Sequence, residues 1–124
     1  MKVVIVEPAK RAYVKEIESG LESMQKIVGG YIQILYPFPE HIALVCNDEG
    51  KLFGLPLNRG LRDESGELYD IISGTFFLCG APPDSDELAG LTPEQEAFCL
   101  ERFGMPELFL NIGGRIVILP CGEK

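Results

Sequence analysis

The stretch HIALVCNDEGKLFGLPLN, residues 41–58, decides the fold class that the sequence predicts. HIALVCN is apolar enough for a strand, and Asn47-Asp48-Glu49-Gly50 combines residues that start turns with a glycine that ends one. We expect KLFGLPLN to return along HIALVCN as an antiparallel hairpin. Pro56 cannot donate to a ladder and Gly54 packs nothing, so the returning strand should break or bulge before Leu57.

Short apolar segments on either side of this hairpin predict further strands. They are KVVIV (2–6), YIQILYPF (31–38), IISGTFFLCG (71–80, with Gly74 as a bulge or close backbone approach) and LFLNIGGRIVIL (108–119). The last segment is typical of a hairpin around Gly113-Gly114, or of a loop followed by one strand. A second turn is expected at Glu64-Ser65-Gly66.

Two helices are predicted, at 12–28 and 93–103. In the first, apolar residues recur every three or four positions at Val14, Ile17, Leu21, Met24 and Val28, and Gly29-Gly30 ends the helix. In the second, Thr92 caps a helix that has Pro93 at its first position and Gln95 three residues after the cap, and Gly104 ends it. The sequence thus predicts an α+β fold in a single domain over residues 1–124, with a mainly antiparallel sheet of about five to seven strands.

Composition is that of one globular domain. Of the 124 residues, 46% are apolar and 24% are charged, which is too apolar for a disordered chain. No apolar run approaches the roughly 18 residues of a membrane span, so no membrane association is expected. The first apolar run is short and is followed by mixed charges, unlike a signal peptide, and we expect a cytoplasmic protein.

Charge is unevenly distributed along the chain. The net charge is −8, and residues 40–107 hold fourteen acidic and four basic side chains. Such a surface repels phosphate backbones, so we expect no direct binding to nucleic acid. The same acidity supports an alternative, in which the protein is a decoy that mimics nucleic acid and occupies a host nucleic-acid-binding protein.

The sequence offers no catalytic constellation, and we expect no enzyme, no cofactor and no metal site. His41 is the single histidine, and five residues of strand would hold it roughly 17 Å from Cys46. The acidic clusters at 63–70 and 84–87 do not follow the spacing of a calcium loop, and no glycine-rich phosphate loop occurs. The four cysteines, Cys46, Cys79, Cys99 and Cys121, are expected to be free thiols. An enzyme that uses Cys46 or Cys79 is the weakest alternative.

The candidate binding site is the corner formed by Phe53, Leu55, Asn58 and Arg59. Pro56 fixes the backbone there, Asn58 offers donors and an acceptor, and Arg59 offers a planar fork of donors. The pair could bind a carboxylate, a phosphate or a backbone loop. Alternatively, Asn58 satisfies a bulge in the protein's own chain and Arg59 pairs with Asp63 or Asp70.

Three segments carry a resemblance to a known family. YVKEIESGLESMQKIVGGYI, ALVCNDEGKLFGLPLNR and DIISGTFFLCG resemble the domain of unknown function 3846. The resemblance implies a small accessory protein of a phage, plasmid or conjugative element in a bacterial host, and it implies no catalytic residue.

Our preferred hypothesis is a non-enzymatic binding or regulatory module. Its partner would be a host protein or a small anionic molecule. A homodimer is also considered, because the hydrophobic strand RIVIL near the end of the chain could pair edge to edge with a second copy.

Overall fold

The computed structural model describes residues 1–120, and within them the chain is α+β with mainly antiparallel sheets, as predicted. Cys121 lies outside the described residues. In chain order the elements are β1 (Lys2–Val6), β2 (Tyr13–Glu16), α1 (Leu21–Val28), β3 (Ile32–Leu35), β4 (Ile42–Asn47), β5 (Leu57–Arg62), β6 (Leu68–Ser73), β7 (Phe76–Gly80), α2 (Pro93–Phe103), β8 (Glu107–Ile112) and β9 (Arg115–Pro120).

A five-stranded antiparallel sheet forms the centre of the molecule. Its strand order is β2-β1-β7-β4-β3, and two separate two-stranded sheets pair β5 with β6 and β8 with β9. Every residue of β4 and β7 is buried. Apart from Asn47 at the end of β4, the two strands contain no polar side chain because both of their faces are covered, a pattern more often associated with parallel sheets.

Each face of the central sheet has its own core. One face, with Val3, Ile5, Val45 and Phe77, packs against α1. The other face, with side chains such as Val4, Leu44 and Phe76, is covered by α2 and by the β5–β6 hairpin, which contributes Leu61 and Ile72. The domain is therefore built of three layers, with the sheet in the middle.

The predicted helix at 12–28 is wrong in its first half. Tyr13–Glu16 form the edge strand β2, in which Val14 pairs with Val4, and the helix runs only over Leu21–Val28. Gly20 separates the two elements with φ at 116°, a value that L side chains rarely adopt. Before residue 20 the predicted helical pattern consists only of Val14 and Ile17. Pairing with β1 is therefore sufficient to make this segment a strand.

The predicted hairpin of 41–58 is also wrong. The sheet positions beside β4 are occupied by β3 and β7, and the returning segment Leu57–Arg62 pairs instead with β6. The predicted strand at 71–80 is divided, because Gly74, with φ at 83°, lies between β6 and β7. The chain thus leaves the central sheet after β4, forms the β5–β6 hairpin on one face and returns as β7.

Other predictions from the sequence are confirmed. Gly29 ends α1 in the left-handed conformation. Thr92 and Gln95 form a reciprocal capping box at the start of α2. Gly113 and Gly114 both have positive φ in the tight turn between β8 and β9, where Asn111 Oδ1 accepts a hydrogen bond from Gly114 N.

Candidate functional site

The segment between β4 and β5 is wound into a compact turn. Phe53 N donates to Glu49 O at 2.9 Å, and Leu55 N donates to Gly50 O at 2.9 Å. Asn47 holds the start of the turn, because its Oδ1 accepts from Glu49 N and its Nδ2 donates to Val28 O at the end of α1. The turn is therefore fixed to the helix as well as to the sheet.

Two glycines allow this turn to lie close to the junction of β6 and β7. A Cβ added at Gly50 would lie 2.8 Å from Ser73 O, and one at Gly74 would lie 2.7 Å from Leu55 Cδ1. Leu55 is half-buried against Gly74, whose N–H donates to Pro56 O at 2.7 Å. Of the predicted site residues, Leu55 thus anchors the turn to the body of the protein.

Phe53 projects from this turn into solvent. It is 64% exposed and its neighbour Leu52 is 77% exposed, while Tyr31, which lies between α1 and β3, is 74% exposed. The backbone holds Tyr31 beside the start of the turn, because Asp48 N donates to Tyr31 O at 2.8 Å. Exposed aromatic side chains that line one groove, as Phe53 and Tyr31 do, are typical of an interaction surface.

A groove of about 410 Å³ lies between Phe53 and the helix α1. We call it the aromatic groove; its lining includes Glu22, Gln25, Lys26, Tyr31, Glu49 and Phe53. Two carboxylates and one ammonium group border it, so its net charge is negative. The groove thus combines aromatic surface with an acidic border, which favours a partner that presents apolar and basic groups.

Asn58 and Arg59 lie elsewhere, inside the protein. Asn58 is 0% exposed and Arg59 is 1% exposed. Asn58 Nδ2 donates to Val6 O at 2.9 Å and to Gly74 O at 2.8 Å, and its Oδ1 accepts from Arg59 Nη1 at 2.8 Å. The amide therefore connects β1, β5 and the junction of β6 with β7.

The Arg59 guanidinium binds backbone carbonyl groups. Its Nε donates to Phe103 O at 3.1 Å, its Nη2 to Lys10 O at 2.7 Å and its Nη1 to Asn58 O at 3.2 Å. Burial lowers the pKa of Arg59, and the nearby Glu107 carboxylate opposes that shift. The carbonyl of Phe103 belongs to the C-terminus of α2, where the helix dipole favours a cation.

The hydrogen bonds of Arg59 are not those proposed in the structural alternative. Asp70 forms an ion pair with Lys51 at 2.6 Å, and Asp63 Oδ1 accepts from Ser65 N, Ser65 Oγ and Glu67 N within its own turn. The hydroxyl of Ser65 and the backbone donors keep the pKa of Asp63 below its ordinary value. Both carboxylates are thus held by partners other than Arg59.

A second cleft, of about 760 Å³, lies between α2 and the turn of the β5–β6 hairpin. Arg62 and Arg102 line it together with Glu40, Asp63 and Glu64. Arg102 also stacks on the ring of Phe38, with its guanidinium carbon 5.1 Å from the ring centroid. Because three carboxylates accompany two guanidinium groups, the cleft does not favour a small anion.

The buried cysteines lack the character of nucleophiles. Burial raises the pKa of Cys46 to about 11 and that of Cys79 and Cys99 to about 12. All three are free thiols, and at neutral pH they are protonated, whereas the reactive form is the thiolate. Cys46 Sγ lies 3.9 Å from Gln33 Oε1, as a weak donor.

His41 contributes to the fold through its backbone. Its carbonyl accepts from Ala81 N at 2.7 Å and from Gln95 Nε2 at 3.3 Å. His41 immediately precedes β4 and Cys46 lies near the other end of that extended strand, so the strand does not bring the two side chains together. Across residues 1–120, no three His, Cys, Asp or Glu side chains converge as metal ligands.

Sequence reasoning identified Phe53 but missed Tyr31 and the acidic border of the aromatic groove. The pairing of Ile32 with Asn47 across β3 and β4 brings Tyr31 beside the turn. The β3–β4 hairpin was not predicted as such, although both of its strands were. An aromatic residue directly after the Gly29-Gly30 helix end was the signal that could have indicated a second exposed ring.

Fold and site together define a small α+β domain with an exposed aromatic turn and a buried asparagine-arginine pair. The family model described as Domain of unknown function (DUF3846) matches residues 1–104, and the chain belongs to this family. No curated protein and no solved structure matches the chain. In the described part of the chain, neither helix has the length and apolar character needed to cross a membrane.

Proposed function

We propose that this protein is a non-enzymatic binding module that uses the aromatic groove to bind a host protein. The proposal depends on the exposure of Phe53, on a turn fixed by the hydrogen bonds of Asn47, and of Tyr31, which lines the same groove. Side chains of this size normally contribute to a core, and a rigid surface that presents them loses little entropy when it binds. The origin in a phage, plasmid or conjugative element, which the family resemblance implies, forms part of this proposal.

The chemistry of the groove selects the class of partner. Glu22 and Glu49 border it, and the chain as a whole has a net charge of −8. A partner segment with a leucine or aromatic anchor and a flanking arginine or lysine would bury the rings of the groove and satisfy its carboxylates. The small anionic ligand is the less favoured partner, since Arg59 is buried and its donors serve the protein's own backbone.

Alanine substitution in the groove tests the proposal. We expect Phe53→Ala and Tyr31→Ala to weaken partner binding at least about tenfold, because exposed aromatic anchors dominate such interfaces. Tyr36→Ala is the matched control, because Tyr36 is 64% exposed, as Phe53 is, and does not line the groove. Quantitative mass spectrometry of partners captured from bacterial lysate would compare the three variants with wild type.

Equal capture by the groove variants and by wild type would contradict the proposed site. A titration of the purified partner against salt then separates groove binding from the acidic decoy. An interface that depends mainly on aromatic contacts, with two carboxylates at its border, loses only part of its affinity as salt rises, whereas a decoy bound through many carboxylates loses most of it. Strong salt dependence together with unchanged affinity of Phe53→Ala would favour the decoy.

A further inference from the structure

The β8–β9 hairpin is a two-stranded ribbon with two different faces. Opposed residues of an antiparallel pair lie on the same face, and Phe109 opposes Ile118 while Leu110 opposes Val117. The face of Phe109 and Ile118 is directed toward the body of the protein. Glu107 Oε1 on that face accepts a hydrogen bond from Gly60 N at 2.8 Å, and a Cβ added at Gly60 would lie 3.3 Å from Ile118 Cδ1.

The opposite face, which we call the outer face, is directed away from the body and is apolar. Its members are Leu108, Leu110, Ile112, Arg115, Val117 and Leu119. Leu108, Ile112, Val117 and Leu119 are exposed large hydrophobic residues, and Arg115 is the charged side chain among the six. The ribbon follows the segment that the family model covers, which ends at residue 104.

We propose that the outer face of the ribbon packs against the same face of a second copy of the chain. The exposed area of the outer face is comparable with the area that a small dimer interface buries. The four exposed apolar side chains present roughly 350 Å² per copy, which is as large as the principal apolar patch of a typical monomer. With Leu110, Arg115 and the ribbon backbone included, two copies would bury an area near the lower limit for specific association, about 1,200 Å² in total.

Charge leaves the outer face available to a second copy. Two chains with a net charge of −8 repel each other over most of their surfaces, and the outer face has no carboxylate. A two-fold axis that lies in the interface and runs across the strands at the Leu110–Val117 pair relates the two copies. It places the Ile112 end of one ribbon over the Leu108 end of the other. The two Arg115 side chains then lie at opposite ends of the interface, so like charges do not meet.

The pairing buries the outer face as two stacked sheets do, at a separation of about 10 Å. Stacking differs from an edge-to-edge addition of β9, which would extend the ribbon and leave its apolar face in water. A phospholipid surface is the other possible occupant; anionic headgroups would repel the chain's net charge of −8, so a zwitterionic surface is the one to test.

Analytical ultracentrifugation of the full chain over a concentration series tests this proposal. We expect wild type to sediment as a dimer of twice the 13.7 kDa chain mass and to dissociate on dilution. Val117→Lys places a charge in the interface and should raise the dimer dissociation constant at least about tenfold. Ile116→Lys is the matched control, because this neighbouring residue on the opposite face is 49% exposed against 37% for Val117.

Dimeric wild type and Ile116→Lys, together with monomeric Val117→Lys, would support the proposal. Wild type that stays monomeric at every soluble concentration, or equal behaviour of the two variants, would overturn it. Leu119→Lys provides a second outer-face variant in case Val117→Lys does not fold, and circular dichroism checks each fold. Pelleting of wild type with phosphatidylcholine vesicles, without a dimer in solution, would also overturn the proposal in favour of a membrane surface.

Discussion

Arg59 and Asn58 show how two polar residues can hold a small core together. The ladder between β5 and β6 shifts register between Leu57 and Arg59, so Asn58 lies at an irregularity of the strand. The adjacent side chains of Asn58 and Arg59 are both buried. Asn58 donates to the carbonyl groups of Val6 and Gly74. Arg59 donates to those of Lys10 and Phe103. This arrangement explains why Asn58 and Arg59, an amide and a cation, directly follow Pro56 and Leu57.

Replacement of Arg59 should be among the more damaging changes in the molecule. Arg59→Ala leaves the carbonyls of Phe103 and Lys10 without their donor and creates a cavity, and we expect a loss of about 3 kcal/mol in the free energy of unfolding. Arg62→Ala, on the same strand but only half-buried, should cost less than about 1 kcal/mol. Urea denaturation compares the two variants, and equal losses would contradict a structural role for Arg59.

The direction of these side chains could not be predicted from the sequence. Asn58 and Arg59 were recognised as an unusual pair, and a break or bulge was expected before Leu57, one residue ahead of the observed register shift. In a regular strand successive side chains point to opposite faces, so one of the two would be exposed. The register shift at Asn58 removes that alternation, and a register shift depends on the partner strand rather than on local sequence.

At the scale of elements, glycines decide where strands and helices end. Gly20 separates β2 from α1, and Gly74 separates β6 from β7. Gly74 also provides the surface on which Leu55 packs, and it thereby links the turn that holds Phe53 to the central sheet. A substitution at this position acts on two elements at once.

Gly74→Ala tests this double role. The residue has φ at 83°, and the added Cβ would lie 2.7 Å from Leu55 Cδ1, so we expect a loss of about 2–3 kcal/mol in unfolding free energy. Gly66→Ala is a matched control, with φ at 88° and no atom within 4 Å of the added Cβ, and should cost only about 1 kcal/mol. Thermal unfolding of both variants provides the measurement, and similar losses would show that contact with Leu55 adds nothing.

Some elements could be predicted from local sequence and others could not. The capping box at Thr92 and the two glycines at 113–114 are local devices, and both predictions hold. The segment 12–28 fails because four residues of it pair with β1, which is a tertiary interaction. The prediction of a 41–58 hairpin fails because β4 pairs instead with β7, a strand some thirty residues distant in sequence.

At the scale of the whole molecule, buried thiols couple stability to alkaline pH. The pKa of Cys46 rises from 9.0 to about 11, and those of Cys79 and Cys99 rise to about 12. Between pH 9 and about 12 the unfolded chain releases thiol protons that the folded chain retains. The thiol contribution is therefore constant below pH 9, and the free energy of unfolding declines as pH rises above that value.

The alkaline decline is testable with the thiols removed. We expect the fall in unfolding free energy above pH 9 to be shallower in a variant with Cys46, Cys79 and Cys99 all changed to alanine than in wild type. Urea denaturation from neutral pH to about pH 11 measures both slopes, and comparing slopes cancels the constant cost of the three cavities. Parallel curves would show that the thiols do not titrate as the structure indicates.

The strand order also constrains how the chain folds. β1 lies between β2 and β7, and Val6 pairs with Phe76. The centre of the sheet therefore forms only when two strands that are far apart in the sequence come together. Contacts of such long sequence separation slow the search for the native state, because loop-closure entropy is lost before pairing stabilises it. During synthesis the apolar KVVIV segment of β1 cannot pair with β7 until residues 76–80 have left the ribosome. We expect chaperones to bind the exposed segment during that interval.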